Sequence, residues 1–300
     1  MMFAAENQSD YPVVGDLVAI SEMGPDQAQI QAIMPRKTLL QRKAAGKEAV
    51  QPIAANIDVA FIVQAVDRDF NLNRFERYLT IVSKGKIKPI IVLNKIDLIS
   101  RAELDDKITQ IKDRFQKIKV LTTSAEDNAG IKRLAKEIKK GETYCFLGSS
   151  GVGKSSIINK LLGKELLKTR MISTSTKKGK HATTHRELFV LDNGGMVIDN
   201  PGIREVGLGE AGEAVDNVFG DISELARHCK FVDCTHDHEP GCAVLAALES
   251  GELSKDKYDN YLKLKKEADH YAMSSQEKRQ KDRSFGRMVK NFKKIHKKGR

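Results

Sequence analysis

Apolar residues along the middle of the chain fall into two alternating rhythms. Ile57–Val66 is an unbroken apolar run of strand length, after which Leu72, Phe75, Leu79 and Val82 recur at helical spacing. The next apolar strand is Ile87–Leu93, followed by a charged helix from about Arg101 to Gln116 and a short strand Lys119–Leu121. A helix Ile131–Lys139 and a strand Thr143–Leu147 continue the series. Apolar strands that alternate with amphipathic helices predict a parallel α/β sheet, because such strands are buried on both faces. A further helix opens at Lys154, and a polar stretch from Lys164 to Arg186 follows it. Glu187–Leu191 and Met196–Asp199 then flank Asp192-Asn193-Gly194-Gly195, whose Asn-Gly pair predicts a hairpin turn.

The two ends read differently. Val13–Ile20, which follows Tyr11-Pro12, and Gln29–Met34 look like short strands, and Arg36–Lys47 is a basic stretch, so residues 1–50 are expected to form a small β module. Beyond Gly212 the strand signals stop, and helices with a Cys/His knot take over. The expected division is therefore 1–50, 51–212 and 213–300. A chain of 300 residues suits about two domains at roughly 100–200 residues each. With 40% hydrophobic and 30% charged residues, the composition is that of a globular protein with a substantial core. Apolar runs stay well short of the roughly 18 residues a membrane span needs. Met1 to Tyr11 carries Glu6 and Asp10 and no basic residue, unlike a signal peptide, so a cytoplasmic protein is expected.

Net charge is +11, but residues 277–300 alone hold eleven Lys/Arg against Glu277 and Asp282. The remainder is close to neutral, so the basicity belongs to a tail. Within it Phe285, Met288, Val289, Phe292 and Ile295 recur at helical intervals, which predicts a basic amphipathic helix. RNA, an anionic membrane or a groove on a partner could each receive it.

The strand Thr143–Leu147 runs into Gly148-Ser149-Ser150-Gly151-Val152-Gly153-Lys154-Ser155, with Ser156 next, matching the G-x-x-x-x-G-K-[ST] phosphate loop in its strand-to-helix setting. Glycines let backbone N–H groups turn toward phosphate oxygens, and the helix start adds its positive end. Lys154 would reach the β/γ-phosphates and Ser155 would ligate Mg²⁺. The base is read elsewhere. Asn94-Lys95-Ile96-Asp97 has the N-K-x-D pattern in which the Asp carboxylate accepts hydrogen bonds from guanine N1–H and the exocyclic amine. Adenine offers no such donor pair. Asn94 would brace the pocket and the Lys95 stem would lie over the base. Thr123-Ser124-Ala125 looks like the companion loop that offers an N–H to guanine O6.

Asp199-Asn200-Pro201-Gly202 resembles D-x-x-G, in which Asp199 holds Mg²⁺ through water and the Gly202 N–H meets the γ-phosphate. Gly179-Lys180-His181-Ala182-Thr183-Thr184 lies where a first switch loop belongs, with Thr183 favoured over Thr184 as the Mg²⁺ ligand. Ile203 occupies the place where Ras carries its water-orienting Gln, so slow intrinsic hydrolysis is expected, with His181 as the candidate for placing water. Ras-like proteins run phosphate loop, switch Thr, D-x-x-G, N-K-x-D, S-A, whereas here N-K-x-D and S-A come first. Such an order keeps the pocket but sends the chain after Gly202 directly into the C-terminal region. Nucleotide state is therefore expected to act on that region.

Cys145 stands alone, while Cys229-x4-Cys234-x-His236-x5-Cys242 has the ligand types and spacing of a closed Cys₃His zinc site, with His238 and His228 as alternatives to His236.

Together, Val14-Gly15-Asp16, Pro35-Arg36-Lys37, Asn94–Asp97, Gly148–Ser155, Gly179–Thr184, Asp199–Gly202 and Cys229–Cys242, in this order, resemble the ribosome small-subunit-dependent GTPase A family, RsgA. The resemblance spans nearly the whole chain. It implies an N-terminal OB-fold, a circularly permuted Ras-like P-loop GTPase domain and a C-terminal helical zinc-binding domain. It also implies GTP hydrolysis stimulated by the 30S ribosomal subunit during its late maturation, 16S rRNA as a partner, one structural Zn²⁺, Mg²⁺ with GTP, and a monomer that acts without a membrane. About fifty residues precede the GTPase domain, too few for a five-stranded barrel, so a truncated OB-like module is expected. Ala182 and Asn200 stand where the family usually has Thr. A GTP-binding RNA adaptor with little turnover, or another P-loop NTPase, are the competing readings.

Overall fold

In the computed structural model, the structure describes residues 10–43, 50–67, 70–164, 187–199, 208, 209, 211–274, 276, 277, 280 and 283. The chain divides into two units, Met1–Gly207 and Leu208–Arg300.

The apolar runs become the centre of the first unit. Its six-stranded sheet has the order β7-β6-β5-β8-β10-β9. These strands are β5 (Val59–Ala65), β6 (Lys88–Asn94), β7 (Val120–Thr123), β8 (Thr143–Leu147), β9 (Glu187–Val190) and β10 (Met196–Asp199). All neighbours run parallel except β9, which pairs antiparallel with β10 through the expected hairpin. Every residue of β5 is buried, as a continuous apolar run at the centre of a two-sided sheet must be. Val59, Phe61, Val63 and Ala65 face a cluster with Ile131 and Leu134 of α3 (Ile131–Glu137) and Ile157 and Ile158 of α4 (Lys154–Leu162). Phe61 stacks on Tyr144 with centroids 5.4 Å apart and meets Phe146 at 5.0 Å.

The alternate β5 residues meet α1 (Leu72–Lys84). The buried Gln64 amide donates to Asn71 O at 3.0 Å and its oxygen accepts from Asn71 N at 2.8 Å, while the Asn71 side chain caps α1 by accepting from Arg74 N. The next helix, α2 (Arg101–Arg114), starts in a capping box between Ser100 and Glu103. It joins α1 through a bidentate pair: Arg114 Nε donates to Glu76 Oε1 at 2.7 Å and Nη2 to Oε2 at 2.9 Å, and Nη2 also donates to Asn73 Oδ1. Glu76 is 1% exposed, so this bidentate ion pair is largely desolvated.

Ahead of the sheet lie two separate two-stranded sheets, β1 (Val18–Gly24) with β2 (Gln27–Ile33) and β3 (Leu39–Lys43) with β4 (Val50–Ala55). The strand expected at Val13–Ile20 begins five residues later, because Val13–Asp16 forms a turn: Val13 N donates to Asp16 Oδ2 and Asp16 N to Val13 O. The expected boundary at residue 50 falls at the start of β4, which pairs back on β3. This segment is fastened by its own motifs. Arg36 Nε and Nη2 donate to the two Asp16 carboxylate oxygens at 2.8 Å each, and Asn56 Nδ2 donates to Gly15 O while its Oδ1 accepts from Lys37 N.

The second unit is helical: α5 (Gly212–Val218), α6 (Gly220–Ala226), α7 (Ala243–Glu249) and α8 (Lys255–Ala272). Phe219 and Tyr261 meet edge to face in its core, at 5.4 Å. Among the described residues no helix is long and apolar enough to cross a membrane.

Glu76→Ala strands the Arg114 guanidinium in a dry site and is expected to lower unfolding free energy by about 3–5 kcal/mol, whereas Glu76→Leu with Arg114→Met should recover most of it. Denaturant melts of the three proteins check this; equal losses in the single and double variants would refute it.

Candidate nucleotide site and metal centre

In a parallel sheet the carboxyl ends of the strands share one edge, and the loops leaving them meet there. Here that edge collects every described residue that the sequence points to for nucleotide binding. Asn94 ends β6, Ser124 and Ala125 follow β7, the loop Gly148–Gly153 follows β8, and Asp199 ends β10. Because β8 lies between β5 and β10, the phosphate loop emerges at the middle of the sheet.

Asn94 joins three of these segments. The residue is 1% exposed; its Nδ2 donates to Val152 O at 2.8 Å, and its Oδ1 accepts from Thr123 Oγ1 at 3.0 Å. The guanine-motif turn, its companion loop and the phosphate loop thus share one buried amide. Two glycines permit this approach. A Cβ at Gly148 (φ 150°) would fall 2.2 Å from Val63 O, and one at Gly153 (φ 96°) 2.2 Å from Asn94 Nδ2. Gly153 directly precedes α4, whose first-turn N–H groups have no intrahelical acceptor and offer the positive end of the helix to an anion.

Lys154 Nζ folds over the loop, donating to Gly148 O at 2.8 Å and Ser149 O at 2.7 Å. Ser155 and Ser156 are half-buried in the first turn of α4, while Ser150 and Gly151 are exposed at the loop tip. Past Asn94 the backbone turns left-handed at Lys95 (φ 62°) into a short 3-10 turn, Ile96–Leu98, which leaves the Asp97 carboxylate exposed at the rim. Lys95 Nζ lies 3.6 Å from Asp67 Oδ2, at the end of the neighbouring strand β5. Ser124 is buried, and its Oγ accepts from Glu126 N at 3.2 Å, which shapes the loop that holds Ala125. Burial raises the pKa of Asp199, Lys154 opposes the rise, and Glu187, directly across the β9–β10 ladder, adds to it. An ionised Asp199 in that place favours a cation beside it. His181, Thr183, Gly202 and Ile203, expected in the switches, lie outside the described residues, as does the basic tail beyond residue 283.

In the second unit Cys229, Cys234, His236 and Cys242 come together, their ligand atoms all within 4.8 Å of one another. Cys229 Sγ is 3.8 Å from Cys242 Sγ, and His236 Nδ1 lies 3.6 Å and 3.5 Å from those two sulfurs. A tetrahedral ion with metal–sulfur bonds of about 2.3 Å and metal–nitrogen bonds of about 2.0–2.1 Å needs edges of about 3.8 and 3.5 Å, so the three edges among Cys229, His236 and Cys242 match one, and Cys234 lies within 4.8 Å of each of them. His238 is exposed and His228 stands outside the set, leaving His236 as the imidazole donor. Burial lowers the His236 pKa and so favours the neutral ring that binds metal.

His236 adopts a left-handed backbone (φ 62°), and two contacts hold it there. Tyr258 Oη donates to His236 O at 2.6 Å, and the Glu239 carboxylate gathers Thr235 N, Asp237 N and His238 N together with the Thr235 hydroxyl. Those bonds, the Thr235 hydroxyl first, hold the Glu239 carboxyl far below its usual range. Glu239, Tyr258 and Asp67 carry no motif signature. Thr123 stands within the Thr-Ser-Ala tripeptide, but its buried bond to Asn94 emerges only from the pairing of β6 with β7.

A parallel sheet whose strand ends gather a phosphate loop, a guanine-reading turn and an acidic strand terminus, with the turn encoded before the loop, defines a circularly permuted P-loop GTPase. A family model described as RsgA GTPase matches residues 33–209. The chain is 45% identical to the "Small ribosomal subunit biogenesis GTPase RsgA 1" of Bacteroides thetaiotaomicron, over 95% of this chain and 80% of that protein. It is 42% identical to the "Small ribosomal subunit biogenesis GTPase RsgA" of Methanosarcina acetivorans, over 95% and 78%. Among solved structures, YjeQ from Thermotoga maritima aligns with a TM-score of 0.64 at 29% identity, covering 87% of this chain and 86% of that one. YloQ, described as a circularly permuted GTPase, aligns at 0.62 with 28% identity, covering 87% and 82%. The chain belongs to the RsgA GTPase family, and it is a GTP-hydrolysing enzyme.

Removing the Asp97 charge acceptor is expected to cost two charge-assisted hydrogen bonds to guanine, on the order of a hundredfold in GTP affinity. Asp97→Asn should at the same time gain affinity for xanthosine triphosphate, whose 2-oxo group matches the new amide. Competition binding with GTP, xanthosine triphosphate and ATP reads this, and an unaltered ranking would remove Asp97 from the base pocket.

Proposed function

We propose that this GTPase binds the small ribosomal subunit late in its maturation and hydrolyses GTP to GDP and phosphate there, with the subunit accelerating the reaction. The observation that carries the enzymatic half is the Asn94 amide, which couples the guanine-motif turn to the phosphate loop through Val152 O. The ribosomal half is supported by the names of the relatives, which are small-subunit biogenesis GTPases aligned over 95% of this chain.

In this reading Asp97 selects guanine, Asn94 braces the pocket, the Lys95 stem covers the base, and the loop at Ser124 and Ala125 meets the O6 edge. Gly148–Ser156 wrap the phosphates, and Lys154 exchanges its bonds to Gly148 O and Ser149 O for β/γ-phosphate oxygens. Ser155 would hold Mg²⁺ directly, Thr183 would join it with GTP bound, and Asp199 would hold one of its waters. Mg²⁺ supplies neutralisation of phosphate charge in the transition state. Gly202 would meet the γ-phosphate and His181 would orient water, since Ile203 cannot. The tail 277–300 would contact ribosomal RNA. The Cys₃His set would hold one Zn²⁺ in a closed, structural site, an assignment supported by the tetrahedral edge lengths. We place the protein in the cytoplasm and take it to act as a monomer, organised as a partial OB-like module over 1–50, a permuted GTPase domain over 51–212 and a zinc-binding helical domain over 213–300.

Phosphate release measured with small subunits, with large subunits and alone should be slow alone and rise by about a hundredfold or more only with small subunits, the scale on which a supplied positioning group acts. Equal rates in all three mixtures would refute subunit dependence, and no release in any would make the protein a GTP-holding adaptor. Stripping metal with a strong chelator should release one zinc per chain and melt residues 208–300, while GTP binding by the first unit persists. Metal analysis with circular dichroism checks this; an unchanged melt would show that the ion is not structural.

A further inference from the structure

The edge of the sheet opposite β9 is β7, and beside it lies a feature that the nucleotide site does not use. A groove of about 550 Å³ lies between α2 and β7, with Arg133 of α3 also in its lining. Arg101, Ile108 and Lys112 share one face of α2, Lys119 and Val120 stand at the strand edge, and Arg133 comes from α3. Among the described residues its lining contains four cations and no carboxylate. The surrounding segment does not impose that bias: residues 101–137 hold nine Lys/Arg and seven Asp/Glu, so the two signs have been sorted by position. Arg101 pairs with Asp105 at 3.1 Å and Lys119 with Glu137 at 2.7 Å, but each pair involves a largely exposed cation and is weak enough for a phosphate to displace. Lys112 and Arg133 have no ion pair among the described residues.

We propose that this groove is a second RNA contact, on the GTPase domain and separate from the basic tail, that grips a sugar–phosphate backbone between the cations of α2 and those of β7 and α3. The inference rests on the ribosomal reading above for the identity of the polyanion. The groove's own chemistry sets the mode. Its described lining, which includes Ile108 and Val120, has no aromatic ring on which an unpaired base could stack, so the contact reads phosphates and not sequence. An extended acidic peptide fits less well. It would have to add to β7, an edge of only four residues flanked by Lys119, and short, lysine-guarded edges discourage strand addition.

The test compares wild type with Lys112→Glu/Arg133→Glu and with Lys132→Glu/Lys136→Glu, a pair of exposed α3 residues outside the groove that changes net charge equally. Binding to small ribosomal subunits and to their naked RNA is measured across a salt series, together with GTP hydrolysis in the absence of subunits. The groove variant should bind about tenfold or more weaker, with a log–log salt slope shallower by about 2, while the control variant stays near wild type and intrinsic hydrolysis is unchanged in both. If wild type binds and the groove variant matches it in affinity and slope, the groove is overturned and the ribosomal reading stands. If wild type does not bind at all, both fall. Equal weakening in the two variants would mean that only net charge matters and would also overturn the site. If a labelled polyglutamate chain binds wild type and is lost from the groove variant while RNA binding is unaffected, the groove belongs to an acidic protein and the RNA assignment is overturned.

Discussion

One buried amide organises the nucleotide site. Asn94 ends a central strand, is closed off from water, and spends both halves of its side chain on neighbouring segments, donating to Val152 O and accepting from Thr123 Oγ1. A buried amide left without partners is costly, so these bonds oblige the phosphate loop and the companion loop to keep fixed distances from β6. Glycine at 153 is a consequence, since any Cβ there would collide with the Asn94 amide. The carboxylate at the rim and the lysine over the loop inherit their places from this arrangement.

The same constraint explains why the motifs can be encoded in swapped order. A parallel sheet delivers the carboxyl ends of its strands to one edge whatever the order of the strands in the chain, and the Asn94 bonds depend on adjacency in space. β5 pairs with both β6 and β8, so the guanine-reading half and the phosphate-binding half meet across the central strand. The chain enters this domain from segments locked together by Asp16, Arg36 and Asn56: Arg36 pairs with Asp16, and Asn56, just ahead of β5, bonds Gly15 O and Lys37 N. Val14-Gly15-Asp16 and Pro35-Arg36-Lys37 look like unrelated short patterns in one dimension, and the structure makes them two sides of one ion pair.

The metal centre follows a different logic. Its ligands come from a short polar segment with little core of its own, so the geometry is imposed by carboxylate and hydroxyl clamps. Glu239 collects the backbone N–H groups around His236, and Tyr258 reaches from α8 to hold the carbonyl of that residue. Such a frame holds His236 in a left-handed conformation that a free loop would populate rarely, and it turns one histidine of three toward the thiolates.

By itself the amino-acid sequence determined the class of fold and the chemical vocabulary of the site. Continuous apolar strands, glycine spacing in the phosphate loop, N-K-x-D and the Cys/His knot are local patterns, and their physical causes act over a few residues. Strand ends in the sheet were legible to within a residue or two, because burial on both faces writes them as apolar runs. The largely exposed first strand lies four to five residues beyond its expected place, because a turn held by Asp16 competes with the apolar pattern, while the second lies within two residues of it. Tertiary structure alone decided which histidine joins the thiolates, that Thr123 supports Asn94, that Asp67 approaches Lys95, and that four scattered cations line one groove free of carboxylates. Each of these depends on which strands are neighbours and which helix face turns inward, and long-range pairing leaves no mark in the residues on either side.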